Sequence, residues 1–274
     1  MRRAGAGAIA ILCAAVAAGA WAQDDHGGGV IGPGERAARV FERTYPHAGQ
    51  ALRVGERLVF SVRYGPLRAG TATMSVAGID TVGPDSCYHI VTTAESNDFF
   101  STFFYVRDQV ESFISTKDLR PRRFAKHLLE GEYRCDQVTV FDQRNNLAIY
   151  GNGKVVEMLP GTHDVLSAFY DVRCRKLEVG DEIYLECHAD RKNYPLKTRV
   201  LRRETVEVPA GKFDCLVVEP MLRTPGLFKN EGSVTIWLTD DERKIPVKMS
   251  SNLPVGAISV LLTEMTTPQA GGAS

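Results

Sequence analysis

Residues 147–177, LAIYGNGKVVEMLPGTHDVLSAFYDVRCRKL, contain the change of pattern that decides the fold. The segment begins with two apolar, β-branched runs around Asn152-Gly153, a dipeptide typical of a two-residue β-hairpin turn. Lys154 follows, but the GxxxxGK[ST] spacing of a phosphate-binding loop is missing. The first part of the segment therefore predicts two antiparallel strands.

A helix is predicted directly after Pro160-Gly161. Apolar side chains fall mostly on one helical face there, and either Thr162 or Asp164 can cap the N-terminus. The apolar positions are Val165, Leu166, Phe169, Tyr170 and Val172. We expect a helix over residues 162–173 that packs across a sheet.

Short strands are predicted on both sides of this helix. Runs rich in Val, Thr, Phe and Tyr alternate with Gly, Pro, Asn and Asp, the signature of antiparallel sheet. They include LVFSVRY, GTATMSVAGID, CYHIVTTAE and YRCDQVTVFD before the helix, and GDEIYLECHAD, KTRVLRRETVEV and GSVTIWLTD after it. The fold class is therefore mainly β, with a large curved antiparallel sheet or an incomplete β-barrel.

The two sides of the helix resemble each other. VGERLVF (54–60) echoes VGDEIYL (179–185), and DSCYHIV (85–91) echoes FDCLVV (213–218). These echoes favour a single β-rich domain over residues 51–267, made of similar halves at about 51–160 and 174–267.

An acidic stretch interrupts two apolar runs in TIWLTDDERKIPVKM, residues 235–249. Pro246 suits the start of a strand or an edge, and polar residues suit the turn before it. We interpret the stretch as a hairpin, with a catalytic role for Asp240 as the less favoured alternative.

The N-terminus has the order of a secretory signal. Arg2 and Arg3 precede an apolar run, and Ala20-Trp21-Ala22 provides a cleavage site, so residues 1–22 are predicted to be removed. The run is too short to span a bilayer, so no stable membrane anchor is expected after cleavage. These features predict a soluble periplasmic or secreted protein.

Charge argues against a nucleic-acid partner. Removing residues 1–22 takes away two of the 33 basic residues and none of the 33 acidic ones, which leaves a net charge of −2. Nucleic-acid binders need a basic excess. Residues 23–50 are predicted to be a flexible leader, and residues 268–274 a disordered tail.

Five of the six cysteines follow the signal segment. An oxidising compartment permits disulfides, and a bridge between Cys174 and Cys187 is our first choice, with five separate buried thiols as the alternative. No cysteine or histidine spacing fits a structural zinc site, and neither metal nor cofactor is predicted.

Four segments together resemble an exported bacterial family, domain of unknown function 3108, over about residues 52–266. They are GERLVFSVRYGPLRAGTATM (55–74), DVLSAFYDVR (164–173), VPAGKFDCLVVEP (208–220) and IWLTDDERKIPVKM (236–249). The resemblance implies a β-rich envelope protein of uncharacterised activity. A looser architectural likeness links the pattern to periplasmic lipoprotein carriers.

Candidate catalytic residues lie at the helix. His163 and Asp164 precede it and Tyr170 follows two turns later, so a helix N-terminus would tune the imidazole. This arrangement would suit a glycan lyase or hydrolase. The alternative is structural, with Asp164 as the cap.

Candidate ligand-binding residues combine aromatic and basic side chains. The run NDFFSTFFY (97–105) has more rings than one strand face can bury, so we predict an apolar groove closed by the helix. Basic side chains would hold a charged head, although core packing and solvated strand faces explain both groups as well. The predicted set is Phe100, Phe103, Tyr105, Arg122, Arg123, Phe169 and Tyr170.

Three functions remain open from the sequence. The first is binding of a small amphipathic or anionic envelope molecule, a lipid or a glycan. The second is a glycan-active enzyme, and the third is an envelope assembly factor that binds unknown protein partners through a sheet edge.

Overall fold

The computed structural model describes residues 45–222, 234–253 and 256–268. The predicted signal peptide, most of the predicted leader and nearly all of the predicted tail lie outside these ranges. Three helices are present in the described residues: α1 Ala48–Ala51, α2 Asp98–Ser101 and α3 Val165–Arg173. The strands are β1 Arg57–Tyr64, β2 Leu67–Val82, β3 Asp85–Ser96, β4 Arg107–Ser115, β5 Pro121–Glu130, β6 Tyr133–Asp142, β7 Leu147–Tyr150, β8 Val155–Glu157, β9 Glu182–Ala189, β10 Lys192–Val208, β11 Gly211–Leu222, β12 Val234–Thr239, β13 Pro246–Leu253 and β14 Gly256–Thr266.

All fourteen strands form one antiparallel sheet, which confirms the predicted fold class. Its order is β8-β7-β6-β5-β4-β3-β2-β1-β14-β13-β12-β11-β10-β9. Each half is a meander of sequence neighbours, and the pairing of β1 with β14 joins the halves. The free edges of the sheet are therefore β8 and β9, the strands on either side of α3.

Strand lengths repeat between the two meanders. β1 and β9 each have 8 residues, β2 and β10 have 16 and 17, and β3 and β11 each have 12. The sequence echoes fall on equivalent strands, β1 with β9 and β3 with β11. The sheet is thus built from two similar halves related through the β1–β14 pair.

The sheet curves until its two edges face each other. The Asn193 side-chain amide donates to the Glu157 carbonyl at 2.8 Å, which links β10 to β8. His163, just before α3, adds a parallel bridge to the edge of β9: its N–H donates to Glu186 O and its carbonyl accepts from His188 N, both at 2.8 Å. These contacts produce an incomplete barrel.

Helix α3 fills the interior of this barrel. Every residue from Leu166 to Arg173 is buried, and Asp164 caps the N-terminus by accepting from Ser167 N at 2.8 Å. The Ser112 hydroxyl of β4 also donates to Asp164, at 2.6 Å, and fixes the helix to the sheet. Each large apolar side chain buried here contributes about 1.5–3 kcal/mol.

The chain before residue 51 also packs on this helix. The Tyr45 hydroxyl donates to Asp171 at 2.7 Å, and His47 N donates to Cys174 O. The last part of the predicted flexible leader therefore belongs to the folded domain.

The two hairpins predicted from the sequence are both present, but one has a longer turn than predicted. The turn between β12 and β13 carries Asp241, whose carboxylate accepts from Arg243 N, Lys244 N and the Thr239 hydroxyl, so it stabilises its own turn. The β7–β8 connection spans four residues, 151–154, instead of the predicted two, and Gly153 has the positive φ (83°) that the turn requires.

The predicted disulfide is wrong in this structure, because Cys174 and Cys187 are free buried thiols. Cys187 lies beside His163, at the start of α3, whereas Cys174 is the C-cap of the same helix. Nine helical steps separate the two ends by about 14 Å. A disulfide needs Cα atoms roughly 4.4–6.8 Å apart.

Candidate functional site at the barrel mouth

Polar side chains extend along the inner face of the barrel, from the end of β5 to the place where the β9–β10 turn meets β5 and β7. We call this set the barrel mouth; its members are Asp108, Lys126, Glu130, Tyr150, His188 and Asp190. The alternation of β5 places Phe124, Lys126, Leu128 and Glu130 on the inner face. A lysine and a glutamate thus occupy positions where the strand pattern calls for apolar side chains.

Asp108 and Glu130 form a carboxyl pair. Asp108 is almost fully buried, its Oδ1 accepts from Leu129 N at 3.0 Å, and the Glu130 carboxyl lies within hydrogen-bonding reach. Burial raises the pKa of Asp108 to about 6; burial and repulsion by Asp108 raise that of Glu130 to about 7. The pair therefore favours a state in which one proton is shared.

Lys126 makes an ion pair with Asp190 inside the mouth. Asp190 and Arg191 form the two-residue turn between β9 and β10, and their φ values are 47° and 68°. Left-handed backbone costs a side-chain-bearing residue about 1–2 kcal/mol. The ion pair holds this strained turn against the opposite wall of the barrel.

Tyr150 and His188 connect the two edges of the sheet. The His188 Nε2 lies 2.7 Å from the Tyr150 hydroxyl, and its Nδ1 lies 2.7 Å from the Asn193 side-chain oxygen. The Asn193 amide nitrogen is used for Glu157, so its oxygen must accept from Nδ1–H, and Nε2 accepts from the tyrosine. Burial lowers the pKa of His188 and raises that of Tyr150 to about 12, so both groups are neutral.

The interior behind these groups is nearly full. A cavity lined by Phe124, Lys126, Tyr150, Val165 and His188, among others, offers about 10 Å³ to the centre of a water molecule. That space fits about one water. Helix α3 closes this cavity through Val165, so the cavity itself is too small for a large ligand.

An aromatic tip stands beside the mouth. It consists of Phe99, Phe100, Phe103, Phe104 and Tyr105 on α2 and the following residues, and its most exposed rings are Phe103 (76%), Phe99 (63%) and Tyr105 (41%). Phe99 packs edge-on against Phe100 and Phe103, at ring distances of 5.6 and 5.5 Å.

The aromatic tip is fixed to the carboxyl pair by the backbone. Gly131 N donates to Tyr105 O at 2.7 Å, and Val106 bridges Glu130. Gly131 has a φ of 57°, and Phe104 lies so close that a Cβ there would come within 2.7 Å of its ring. Exposed rings and buried carboxyls therefore belong to one end of the barrel.

The predicted groove between the aromatic run and the basic residues is wrong. Arg123 lies opposite Phe113 in the β4–β5 register. Phe113 is eight residues along the chain from Tyr105, so Arg123 and Tyr105 are roughly 27 Å apart. The cause is that β4 itself lies between the aromatic run and the β4–β5 turn. Arg123 stacks on the Phe113 ring at 5.1 Å, and Arg122 pairs with Asp85 (2.8 Å) and Asp118 (2.9 Å).

Phe169 and Tyr170 do not close a groove either. Both are buried in the core, in edge-on contact at 5.8 Å. Of the predicted ligand-binding residues, the structure leaves Phe100, Phe103 and Tyr105 together at the surface.

The predicted catalytic residues have structural surroundings. His163 is fully buried, with Nδ1 3.3 Å from the Ser167 hydroxyl and Nε2 3.6 Å from Asp171. Asp164 is the helix cap, and burial raises its pKa to about 6. Asp240 makes a surface ion pair with Arg203 at 2.7 Å. His163, Asp164 and Tyr170 lie in the sealed interior, and Asp240 lies on a turn elsewhere.

Sequence reasoning did not predict a site at Asp108 and Asp190, and it interpreted Lys126 and Glu130 only as part of a charged strand face. One signal was available: in RRFAKHLLE, the alternation that includes Phe124 and Leu128 also includes Lys126, a charged side chain in an apolar series. Across residues 45–222, 234–253 and 256–268, no three metal-ligating side chains converge.

Comparison with known proteins identifies the family. The model of the family described as Protein of unknown function (DUF3108) matches residues 59–263. The chain belongs to this family. No curated protein matches its sequence significantly. The earlier resemblance to DUF3108 is thereby confirmed.

One solved structure supports the barrel-like fold of this DUF3108 protein, and two others are more distantly similar. A β-barrel-like protein of domain of unknown function DUF1849 from Brucella abortus superposes with a TM-score of 0.54 at 9% identity, covering 78% of this chain and 98% of that one. An inferred exported protein with a YmcC-like fold from Bacteroides fragilis gives 0.38 at 13% identity, covering 78% and 97%. A DUF1089 family protein from Pseudomonas aeruginosa gives 0.37 at 10% identity, covering 66% and 89%. None of the helices described here is long and apolar enough to cross a bilayer.

Proposed function

We propose that this protein is an exported binding protein for an amphipathic molecule of the cell envelope. The observation that carries the proposal is the aromatic tip, whose exposed rings stand beside a barrel mouth of buried polar groups. In soluble proteins, exposed apolar clusters rimmed by polar residues mark binding sites. The tip would take the apolar part of the ligand, and the mouth would take its polar head.

The charge of the mouth narrows the ligand class. Three carboxyl groups, Asp108, Glu130 and Asp190, face two cationic side chains: Lys126 is paired with Asp190, and the Arg191 guanidinium lies over the Tyr150 ring. An anionic head would be repelled locally by the Asp108–Glu130 pair. The structure therefore favours an amphiphile whose head carries hydrogen-bond donors over the anionic ligand considered from the sequence.

The enzyme hypothesis is less favoured. Its candidate residues His163, Asp164 and Tyr170 are buried. His163 lies within hydrogen-bonding distance of Ser167 on the helix, and Asp164 accepts from Ser112 of the sheet. Asp240 is held in an ion pair with Arg203. An assembly-factor role through a sheet edge is also less favoured, because His163 covers part of β9.

The proposal is tested by native mass spectrometry of protein isolated from the periplasm, together with flotation of the pure protein on vesicles of envelope lipid extract. We expect copurified amphiphile and vesicle binding. Phe103→Asp should weaken vesicle binding at least tenfold, since burying a phenylalanine contributes about 1.5–3 kcal/mol.

A matched control is Ile79→Asp, which alters an exposed apolar side chain (56%) near the β2–β3 turn, at the opposite end of the strands. It should bind as the unchanged protein does. An apo mass combined with no vesicle binding would refute the proposed function.

A further inference from the structure

The strongest unassigned feature is a missing hydrogen-bond donor in the carboxyl pair. Among the residues that the structure describes, none donates a hydrogen bond to the buried Asp108 Oδ2, although Oδ1 is satisfied by Leu129 N. A buried carboxylate oxygen without a donor costs free energy. The neighbouring Glu130 carboxyl supplies no donor unless one of the two groups is protonated.

The position of the pair shows how a donor would reach it. Asp108 and Glu130 are diagonal neighbours on the inner face. They lie at the end of β4 and β5 that follows the exposed rings of the aromatic tip. Glu130 is only partly buried, so the pair communicates with solvent at the mouth. A ligand held on the tip would bring its head group to this point.

The charged groups around the pair define which head group fits. On β5, Lys126 is engaged by Asp190 of the β9–β10 turn, and on β6 the Tyr133 ring lies near both Glu130 and Asp190. Lys126 also attracts the Glu130 carboxylate, but within the described part of the chain the pair makes no direct ion pair of its own. An alkylammonium group has three donors, no acceptor and a positive charge, whereas a hydroxyl offers one donor and no charge.

We propose that Asp108 and Glu130 form the recognition site for a primary amine on the head of an amphipathic ligand. The ammonium would replace the shared proton and donate to Asp108 Oδ2 and to Glu130, so the net charge of the occupied site would equal that of the singly protonated pair. This inference rests on the proposed function, and it names the chemical class of the head group. A quaternary ammonium of equal charge, which lacks N–H donors, would bind more weakly.

The test compares three amphiphiles that share a dodecyl chain and are used below their micelle-forming concentrations: dodecylamine, dodecyltrimethylammonium and dodecyl maltoside. Titration calorimetry of the full chain at pH 8 should show dodecylamine binding at least tenfold tighter than dodecyltrimethylammonium. Asp108→Asn, which retains the Oδ1 acceptor, should reduce this preference to less than threefold. Glu130→Gln, at a less buried position, should act in the same direction.

The control is Glu95→Gln, a carboxylate at the same end of the barrel but exposed on the outer face. It should leave the amine preference unchanged. Vesicles of phosphatidylethanolamine compared with phosphatidylcholine would show whether a bilayer also presents the amine; preferential binding to the former would support the inference for membrane lipid.

Three results would overturn the inference, and they are distinguishable. Equal affinity for the three head groups, with binding still abolished by Phe103→Asp, would refute amine recognition and leave the proposed function intact. An amine preference that survives in both Asp108→Asn and Glu130→Gln would place recognition elsewhere. Failure of every dodecyl compound and vesicle to bind would refute both proposals.

Discussion

Arg173 of α3 donates two parallel hydrogen bonds to the Glu56 carboxylate, at 2.9 and 3.0 Å, and both side chains are buried. The same guanidinium donates to the carbonyls of Lys244 and Arg243 in the β12–β13 turn and stacks on the Tyr170 ring at 4.8 Å. One side chain thus ties the C-terminal end of the interior helix to the start of β1 and to the opposite half of the sheet.

Glu56→Gln should destabilise the protein by about 3–5 kcal/mol, because it leaves the Arg173 charge buried without its partner. The free energy of unfolding from urea titration measures the effect. The double variant Glu56→Met/Arg173→Met should lose less stability than the sum of the losses in Glu56→Met and Arg173→Met, since no lone charge remains. Its stability should stay below wild type because two carbonyls lose their donor.

The surface ion pair between Arg203 and Asp240 should contribute much less stability than the buried pair. Arg203→Ala removes the contact with Asp240 and should change the free energy of unfolding by no more than about 1 kcal/mol. A loss similar to that of Glu56→Gln would show that burial does not control these ion pairs.

Asp164→Ala should destabilise the protein by about 2–3 kcal/mol. The variant removes the helix cap, which contributes about 1 kcal/mol, and leaves the buried Ser112 hydroxyl without its acceptor. Thermal unfolding followed by circular dichroism measures the loss. Asp164→Asn keeps an acceptor oxygen, so it should lose less than half as much stability as Asp164→Ala. Equal losses in both variants would argue against the capping role.

Asp108→Asn should stabilise the protein at pH 8 but not at pH 4. The folded pKa of about 6 lies above the ordinary aspartate value of about 3.9, so the native state binds the proton more tightly. Proton binding by Asp108 therefore stabilises the wild-type protein fully below pH 4, and this stabilisation is lost as the pH rises through 6. Because Glu130 has a pKa of about 7, part of the loss occurs up to pH 7.

We expect the variant to be about 1–2 kcal/mol more stable than wild type at pH 8, and close to it at pH 4, by urea unfolding at both pH values. Glu95→Gln, on the exposed outer face, should show no such pH dependence. A pH-independent difference for Asp108→Asn would contradict the raised pKa.

Arg191→Gly should stabilise the β9–β10 turn by about 0.5–1 kcal/mol, because glycine adopts φ = 68° without the Cβ clash. Loss of the Arg191 contact with the Tyr150 ring, at 5.7 Å, offsets part of the gain. Urea unfolding with an unchanged m-value measures the result. Lys192→Gly, in the extended strand next to the turn, should destabilise by a similar amount; stabilisation by both would refute backbone strain as the cause.

The amino-acid sequence determined the local features because the signals were local. Period-two alternation, turn residues and the change of pattern after Pro160-Gly161 predicted antiparallel strands and a central helix with Asp164 as a candidate cap. The echoes between residues 54–60 and 179–185 indicated two similar halves, and the equivalent strands match in length. These properties depend on neighbours within a few residues along the chain.

Register decided where the site residues lie. The sequence placed Phe103 and Arg122 close together, because both flank one predicted strand; pairing of β4 with β5 put them at opposite ends. Likewise, distance along the chain suggested a Cys174–Cys187 bridge, whereas the length of α3 separates the two thiols. A shift in pairing changes such contacts without changing the local pattern.

Only the closed tertiary structure brought the barrel mouth together. Lys126 and Asp190 lie 64 residues apart, and Tyr150 and His188 lie 38 apart; each pair joins the two halves of the sheet. Their proximity results from sheet curvature and from an interior helix that excludes water, and neither is encoded by spacing along the chain. Burial inside that barrel also sets the ionisation of Asp108 and Glu130, because desolvation depends on all the surrounding strands at once.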